Sequence, residues 1–218
     1  MSTTATTAPA RGKNGKWVLL GVLVVLIGAT AMIAIPTLTH SPYRPTLDDH
    51  GVVPAFAFTD DTGAPFTSEA MRGQTTVINF IFTRCDTVCP TSTARMLEVQ
   101  ERTVDLGDRV RLASFSVDPE YDTPAVLAAY ARNFHADPRR WRFVTGPLGT
   151  IKAVIEGAFM TGMDRKGTTP GGNPDIWHGQ HFLLIDRDLH IRGIYDTEPT
   201  GLDRLVRDAR YLALTPAR

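Results

Sequence analysis

Cys85 and Cys89 stand four residues apart in Phe82-Thr83-Arg84-Cys85-Asp86-Thr87-Val88-Cys89-Pro90, and the chain has no other cysteine. Thiols so placed can bind a soft metal, exchange electrons as a dithiol/disulfide pair, or staple a turn. If Cys89 lies in the first turn of a helix, Cys85 sits just before it, and side chains at that spacing can share a face. Their Cα separation is then on the order of 6 Å, within reach of a disulfide. The unpaired N–H groups and positive dipole end of a helix N-terminus favour thiolate over thiol. Arg84 adds a positive charge that Asp86 offsets. A thiolate site of this kind serves redox exchange and soft-metal binding alike. A purely structural disulfide would close a very short loop and constrain the unfolded chain little.

A third ligand would separate these uses. The histidines are His40, His50, His135, His178, His181 and His190. His178 and His181 stand where a Gly/Pro-rich stretch enters the apolar run Phe182-Leu183-Leu184-Ile185-Asp186. The other four read as surface residues. Two thiolates and one imidazole without a carboxylate suit Cu(I) and can take Cu(II). A structural zinc site normally has four ligands, and only three soft ones are in view. Met160 and Met163 are potential thioether ligands but read as core filling. Asp118 follows the end of a strand next to the cysteine strand, where it either borders the site or forms an ordinary turn.

The elements that would position these groups follow from pattern. Residues 53–59 alternate and lead into Asp60-Asp61-Thr62-Gly63, an opening hairpin. The β-branched and aromatic runs Thr75–Thr83 and Val110–Val117 read as buried strands. A helix is expected from Pro90 to Val104. A second starts where Thr123 caps and Pro124 takes the first helical position, and runs to about Phe134. A short strand at Arg142–Thr145 and a helix at Leu148–Phe159 follow. Thr161–Gln180, rich in Gly, Thr, Pro and Asp, reads as a long loop. Strands at His181–Asp186 and Ile191–Tyr195 and a helix over 200–213 close the chain. This order predicts an α/β fold of thioredoxin-like type with helices on both faces of the sheet. Active groups belong at the carboxyl ends of its parallel strands, where Cys85 falls. In that fold the loop before the closing hairpin faces the cysteine turn, and thiol–disulfide oxidoreductases carry a cis-proline there together with Cys-x2-Cys. Here the loop reads Trp177-His178-Gly179-Gln180 and has no proline nearer than Pro174.

The N-terminal region sets the compartment. Residues 17–39 are uncharged, and Trp17 to Ile35 is almost wholly apolar, long enough for a transmembrane helix across a core of roughly 30 Å. Arg11, Lys13 and Lys16 precede it, which puts residues 1–16 in the cytoplasm as a tail. A cleaved signal peptide is the rival, because Ala29-Thr30-Ala31 resembles a cleavage site. Either way, residues 40–51 read as a linker and 52–218 as one domain in the bacterial periplasm, outside the reducing cytoplasm. Basic and acidic residues number 23 each, so with three bases ahead of the membrane segment the remainder is acidic. No basic patch points to nucleic acid.

Three blocks together resemble the Sco/SenC family of copper-binding proteins. Ile78-Asn79-Phe80-Ile81-Phe82-Thr83-Arg84-Cys85-Asp86-Thr87-Val88-Cys89-Pro90 is similar to its strand followed by T-x-C-x3-C-P. Ser114 to Pro124 (SFSVDPEYDTP) is similar to its S-V-D-P-x-x-D-T-P. His178, five residues before Leu183-Leu184-Ile185-Asp186, is similar to the family histidine ahead of its strand core. The likeness spans about residues 52–215. It implies a thioredoxin-like fold, one copper ion held by Cys85, Cys89 and His178, and an aspartate near the metal at Asp118. It also implies delivery of copper to, or reduction of thiols in, the copper A centre of cytochrome c oxidase. Partners would be the copper A subunit and possible copper chaperones or thiol reductases, and the chain would be a metallochaperone more than an enzyme. The sequence departs from the family in three places: Asp86 replaces a common proline, Trp177 replaces the usual aspartate, and His181 is extra. Alternatives left by the residues are a membrane-anchored thiol–disulfide oxidoreductase using Cys85 and Cys89, and a thiol peroxidase.

Overall fold

A computed structural model describes residues 19–26, 43–85, 89–169 and 171–215, with only the backbone of Cys89. Residues 19–26 are helical (α1), and their Leu and Val side chains are exposed. The rest of the expected span over 17–39 lies outside the described residues. Among the described residues no helix is long and apolar enough to cross a membrane.

From Pro45 onward the chain forms its own unit. Its sheet has seven strands in the order β2-β1-β5-β4-β3-β8-β9. The opening hairpin is β1 (Ala57–Asp60) and β2 (Pro65–Thr67). The central strands β3 (Thr75–Ile81), β4 (Val110–Ser116) and β5 (Trp141–Thr145) are parallel, and β8 (His181–Ile185) joins β3 antiparallel. β9 (Ile191–Asp196) closes the sheet beside β8. Helices α2 (Cys89–Arg102), α3 (Pro124–Asn133), α4 (Leu148–Gly157) and α5 (Pro199–Leu214) complete the thioredoxin-like α/β arrangement.

Side chains alternate across a strand, and β3 sorts its residues accordingly. Ile78, Phe80 and Phe82 join Phe115, Val144, Ile151, Ile155 and Phe159 in one core on the α4 side. Val77 and Ile81 join Met96, Val99, Leu127, Leu205 and Ala209 in a second core under α2, α3 and α5. Every residue of β3 is buried, as expected of a central strand covered on both faces. At the far edge, the N–H of His50 donates to the Ile191 carbonyl at 2.9 Å, so the segment entering the domain lies along β9.

Residues 161–180 depart from the expected long loop. They hold a hairpin, β6 (Met163–Thr168) and β7 (Pro174–His178), in a second, two-stranded sheet. β6 buries only Met163, while β7 alternates and buries Pro174, Ile176 and His178. A strand that is exposed almost throughout carries no alternating apolar signal, which is why the segment reads as loop.

Candidate metal centre

The cysteine turn is built where β3 runs out. The N–H of Cys85 donates to the Phe82 carbonyl at 3.3 Å, closing a turn over 82–85. Thr83 is anchored by the buried carboxylate of Asp122, which accepts from Thr83 Oγ1 at 2.5 Å and from the Thr83 N–H at 3.3 Å. Ser116 Oγ donates to the same carboxylate at 2.6 Å and accepts from the Asp118 N–H at 3.0 Å. Burial pushes the Asp122 carboxyl above the usual carboxylate range, against the pull of those hydrogen bonds.

Arg84 is held from two sides. Its Nε and Nη2 lie 3.1 and 2.5 Å from Asp118 Oδ2, and its guanidinium sits 4.0 Å from the ring centre of Tyr121. Asp118, with its side chain 2% exposed, thus supplies the counter-charge for Arg84. Both readings of Asp118 apply: it forms the turn after β4, and it borders the cysteine turn. Its remaining oxygen, Oδ1, is 3.2 Å from Arg165 Nη2 on β6.

Cys89 is the first residue of α2, so its backbone stands at a helix N-terminus with Cys85 ahead of it in the chain, as the spacing allows. The side chain of Cys89 lies outside the described residues. The first turn of α2 is seated on a buried polar chain. Asn79 Nδ2 donates to Ser92 Oγ at 3.2 Å, Ser114 Oγ donates to Asn79 Oδ1 at 2.6 Å, and Trp141 Nε1 donates to Ser114 Oγ at 2.9 Å. A polar residue inside a fully buried strand must find such partners, and these run from α2 to β5.

His178 ends β7, opposite Met163, and is 5% exposed. Its Nδ1 is 3.0 Å from the Gly179 carbonyl. A carbonyl only accepts, so Nδ1 carries the proton and the lone pair is left on Nε2. Burial pushes the imidazole below its ordinary 6.5, against the Gly179 bond and the charge of Cys85, so the ring is neutral at pH 7. Phe82 meets the ring edge to face, with centroids 5.9 Å apart. Cys85 and His178 line one cleft of about 540 Å³, with Phe82, Arg84, Lys166 and Trp177 on its walls. A half-buried thiol and a neutral, oriented imidazole on one cleft can share a soft metal ion. Among the described residues no three His, Cys, Asp or Glu side chains gather at metal distance.

The extra histidine is held at Nε2 by a neighbouring threonine. His181 Nε2 lies 2.9 Å from Thr161 Oγ1, whose own proton goes to the Phe159 carbonyl at 2.9 Å. Nε2 is thus engaged in a hydrogen bond to the Thr161 hydroxyl. Burial lowers its pKa as well. Met163 is core, as expected, but Met160 is 46% exposed, so the core-filling expectation fails for it. Among the other histidines, His50 and His190 pair with Asp48 and Asp49 at the surface, and His40 lies outside the described residues.

Three contributors escape a reading by residue type. Asp122 sits in the Asp-Thr-Pro that announces a helix cap, which hides its bond to Thr83. Asn79 interrupts an apolar run, a signal that a buried polar partner exists. Arg165 looks like one more charge in a polar loop.

A family model described as SCO1/SenC matches residues 44–212. The chain is 31% identical over 168 residues to the SCO1 protein homolog of Bacillus subtilis (strain 168), covering 72% of this chain and 81% of that protein. It is similar to the solved structure of Bradyrhizobium japonicum ScoI with copper bound, with a TM-score of 0.65 and 28% identity over 74% of this chain and 99% of that one. It is also similar to the structure of BsSco, described as a member of the Sco family of cytochrome c oxidase assembly proteins with a disulfide switch. There the TM-score is 0.66 and the identity 28%, over 81% of this chain and 100% of that one.

Proposed function

The chain belongs to the SCO1/SenC family, and on that premise we propose that it is a membrane-anchored copper chaperone. It takes one copper ion as cargo through Cys85, Cys89 and His178, and passes it by ligand exchange to the copper A subunit of cytochrome c oxidase. Residues 17–39 anchor it in the bacterial inner membrane, residues 1–16 stay in the cytoplasm, and 52–218 work in the periplasm behind the linker 40–51.

The observation that carries this reading is the state of His178. It is buried, held below its ordinary pKa, and oriented by its Nδ1 bond to the Gly179 carbonyl on the same cleft as Cys85. An imidazole prepared in this way meets the needs of a metal ligand, which must be deprotonated and held by a second hydrogen bond. The copper-bound relative supports the same cargo. Thiolates are soft donors suited to Cu(I), and transfer to a thiol-rich acceptor needs no change of donor type.

The disulfide switch in the BsSco description favours a second reading, a thiol–disulfide oxidoreductase that reduces partner cysteines with Cys85 and Cys89. Titration of the fully reduced full chain with Cu(I) and Cu(II) separates the two. The copper reading expects one copper per chain, lost in Cys85→Ser and Cys89→Ser and weakened in His178→Ala. A reduced chain that takes up no copper sinks it. The oxidoreductase reading expects partner reduction to survive His178→Ala and vanish in Cys85→Ser.

A further inference from the structure

The two ligand-bearing elements come from different parts of the chain, and one buried carboxylate touches both. Asp118 Oδ2 holds Arg84, the residue before Cys85, at 2.5 Å. Asp118 Oδ1 holds Arg165 of β6 at 3.2 Å. Arg165 pairs with Ile176, and Met163, two residues before it, pairs with His178. Residues two apart on a strand point to one side, so Arg165 leaves the hairpin on the side where Met163 is buried. The hairpin exchanges no strand pairing with the seven-stranded sheet among the described residues. Its alignment against the cysteine turn therefore rests on its chain connections, on Met163 and Ile176 in the core, and on side-chain bridges, of which the one at Asp118 joins it to the residue next to Cys85.

We propose that Asp118 is a positioning residue that sets the spacing between Cys85 and His178 through the Arg84–Asp118–Arg165 bridge. It touches no ligand itself. One oxygen fixes the turn that presents the thiol, and the other fixes the strand pair that presents the imidazole. The charge matters as well as the shape. A carboxylate accepts from two guanidinium groups, whereas an amide offers one acceptor oxygen and a donor that faces a cation. This inference rests on the copper reading of the cleft, and it assigns Arg84 and Arg165 roles that their own chemistry toward copper would not suggest.

The test uses the full chain with reduced thiols. Cu(I) affinity is measured by competition with a chromophoric chelator for Asp118→Asn and Arg165→Gln, each in the parent and the His178→Ala backgrounds. Loss of an outer partner of a metal ligand typically costs about 10–100-fold. Both variants are expected to lose about tenfold in the parent; once His178 is gone, Arg165→Gln should lose nothing further and Asp118→Asn only the smaller part that acts through Arg84 and the Cys85 turn, with Arg165→Lys recovering most of the Arg165→Gln loss. Equal losses in both backgrounds, or none in the parent, overturn the proposal. Amide hydrogen exchange across residues 163–178 gives a reading without metal. Faster exchange in Asp118→Asn and Arg165→Gln is expected, and unchanged protection overturns the bridge. If the parent chain takes up no copper while exchange accelerates, the copper reading fails and the bridge stands.

Discussion

Asp122 accepts a 2.5 Å hydrogen bond from Thr83, 39 residues earlier, across the ends of two neighbouring parallel strands. The bond fastens the residue two before Cys85 to the loop that also carries Asp118.

Asp122→Ala removes an acceptor shared by Thr83 and Ser116 in a fully buried place. A loss of about 2–4 kcal/mol is expected, since hydrogen bonds to a charged group are each worth about 1.5–3 kcal/mol and the stranded donors are costly. Urea denaturation checks it. The pH dependence has a definite sign. Burial raises the native pKa above 3.8, so the folded protein binds this proton more tightly than the unfolded chain. That contribution is complete below 3.8 and is lost as pH rises through the native value. The stability of the parent relative to Asp122→Asn should therefore decline with rising pH across the acid range and level off by neutrality.

His178 and His181 carry the opposite sign. Burial holds both below 6.5, so the unfolded chain takes up these protons first. Their contribution is complete above 6.5 and is lost as pH falls through the native values. Stability of the metal-free protein should drop on acidification from pH 7, less steeply in His178→Gln. An NMR titration midpoint for His178 at or above 6.5 would contradict the burial argument.

His181→Ala should leave Cu(I) affinity close to the parent's, because Nε2 is engaged with Thr161. His178→Ala should cost more than the roughly 10–100-fold typical of an outer partner. Chelator competition on the two variants side by side decides between them, and comparable losses would restore His181 as a ligand.

Asn79→Ala leaves Ser92 and Ser114 without their shared partner inside a closed core. Destabilisation of about 2–4 kcal/mol is expected from a broken buried network. The change should also appear in the tryptophan emission, because Trp141 bonds to Ser114. An unchanged denaturation midpoint would show that the chain Asn79–Ser114–Trp141 is dispensable.

Much of the frame is legible in the residues because the forces that build it are local or periodic. The run Thr75–Ile81 has the β-branched density of a strand buried on both sides, and it is one. Thr123 caps α3 through the Val126 N–H, with Pro124 in the first turn. The cysteine turn falls at the carboxyl end of a parallel strand, where the fold leaves room for it. What stays hidden is relational. The first strand of the hairpin around Arg165 and Trp177 buries only Met163 and shows no period, and Asp164, Lys166 and Asp175 are exposed as any loop's charges would be. Arg84 is readable as a cation next to Cys85, but its partner is Asp118, 34 residues away, and only the neighbouring strand ends bring them together.

The hairpin that carries His178 is a sheet of its own, joined to the main body by side chains and by its two chain connections. Its ion pair to Asp118 joins an arginine half open to water to a buried carboxylate. Swinging this arm outward would break no rung of the central ladder, but it would draw Met163 and Ile176 out of the core on the α4 side. On the copper reading, release by the imidazole is therefore tied to that edge of the core, whereas Cys85 and Cys89 belong to the main body. Hand-over would then proceed ligand by ligand, with the acceptor's first donor atom entering where the imidazole leaves.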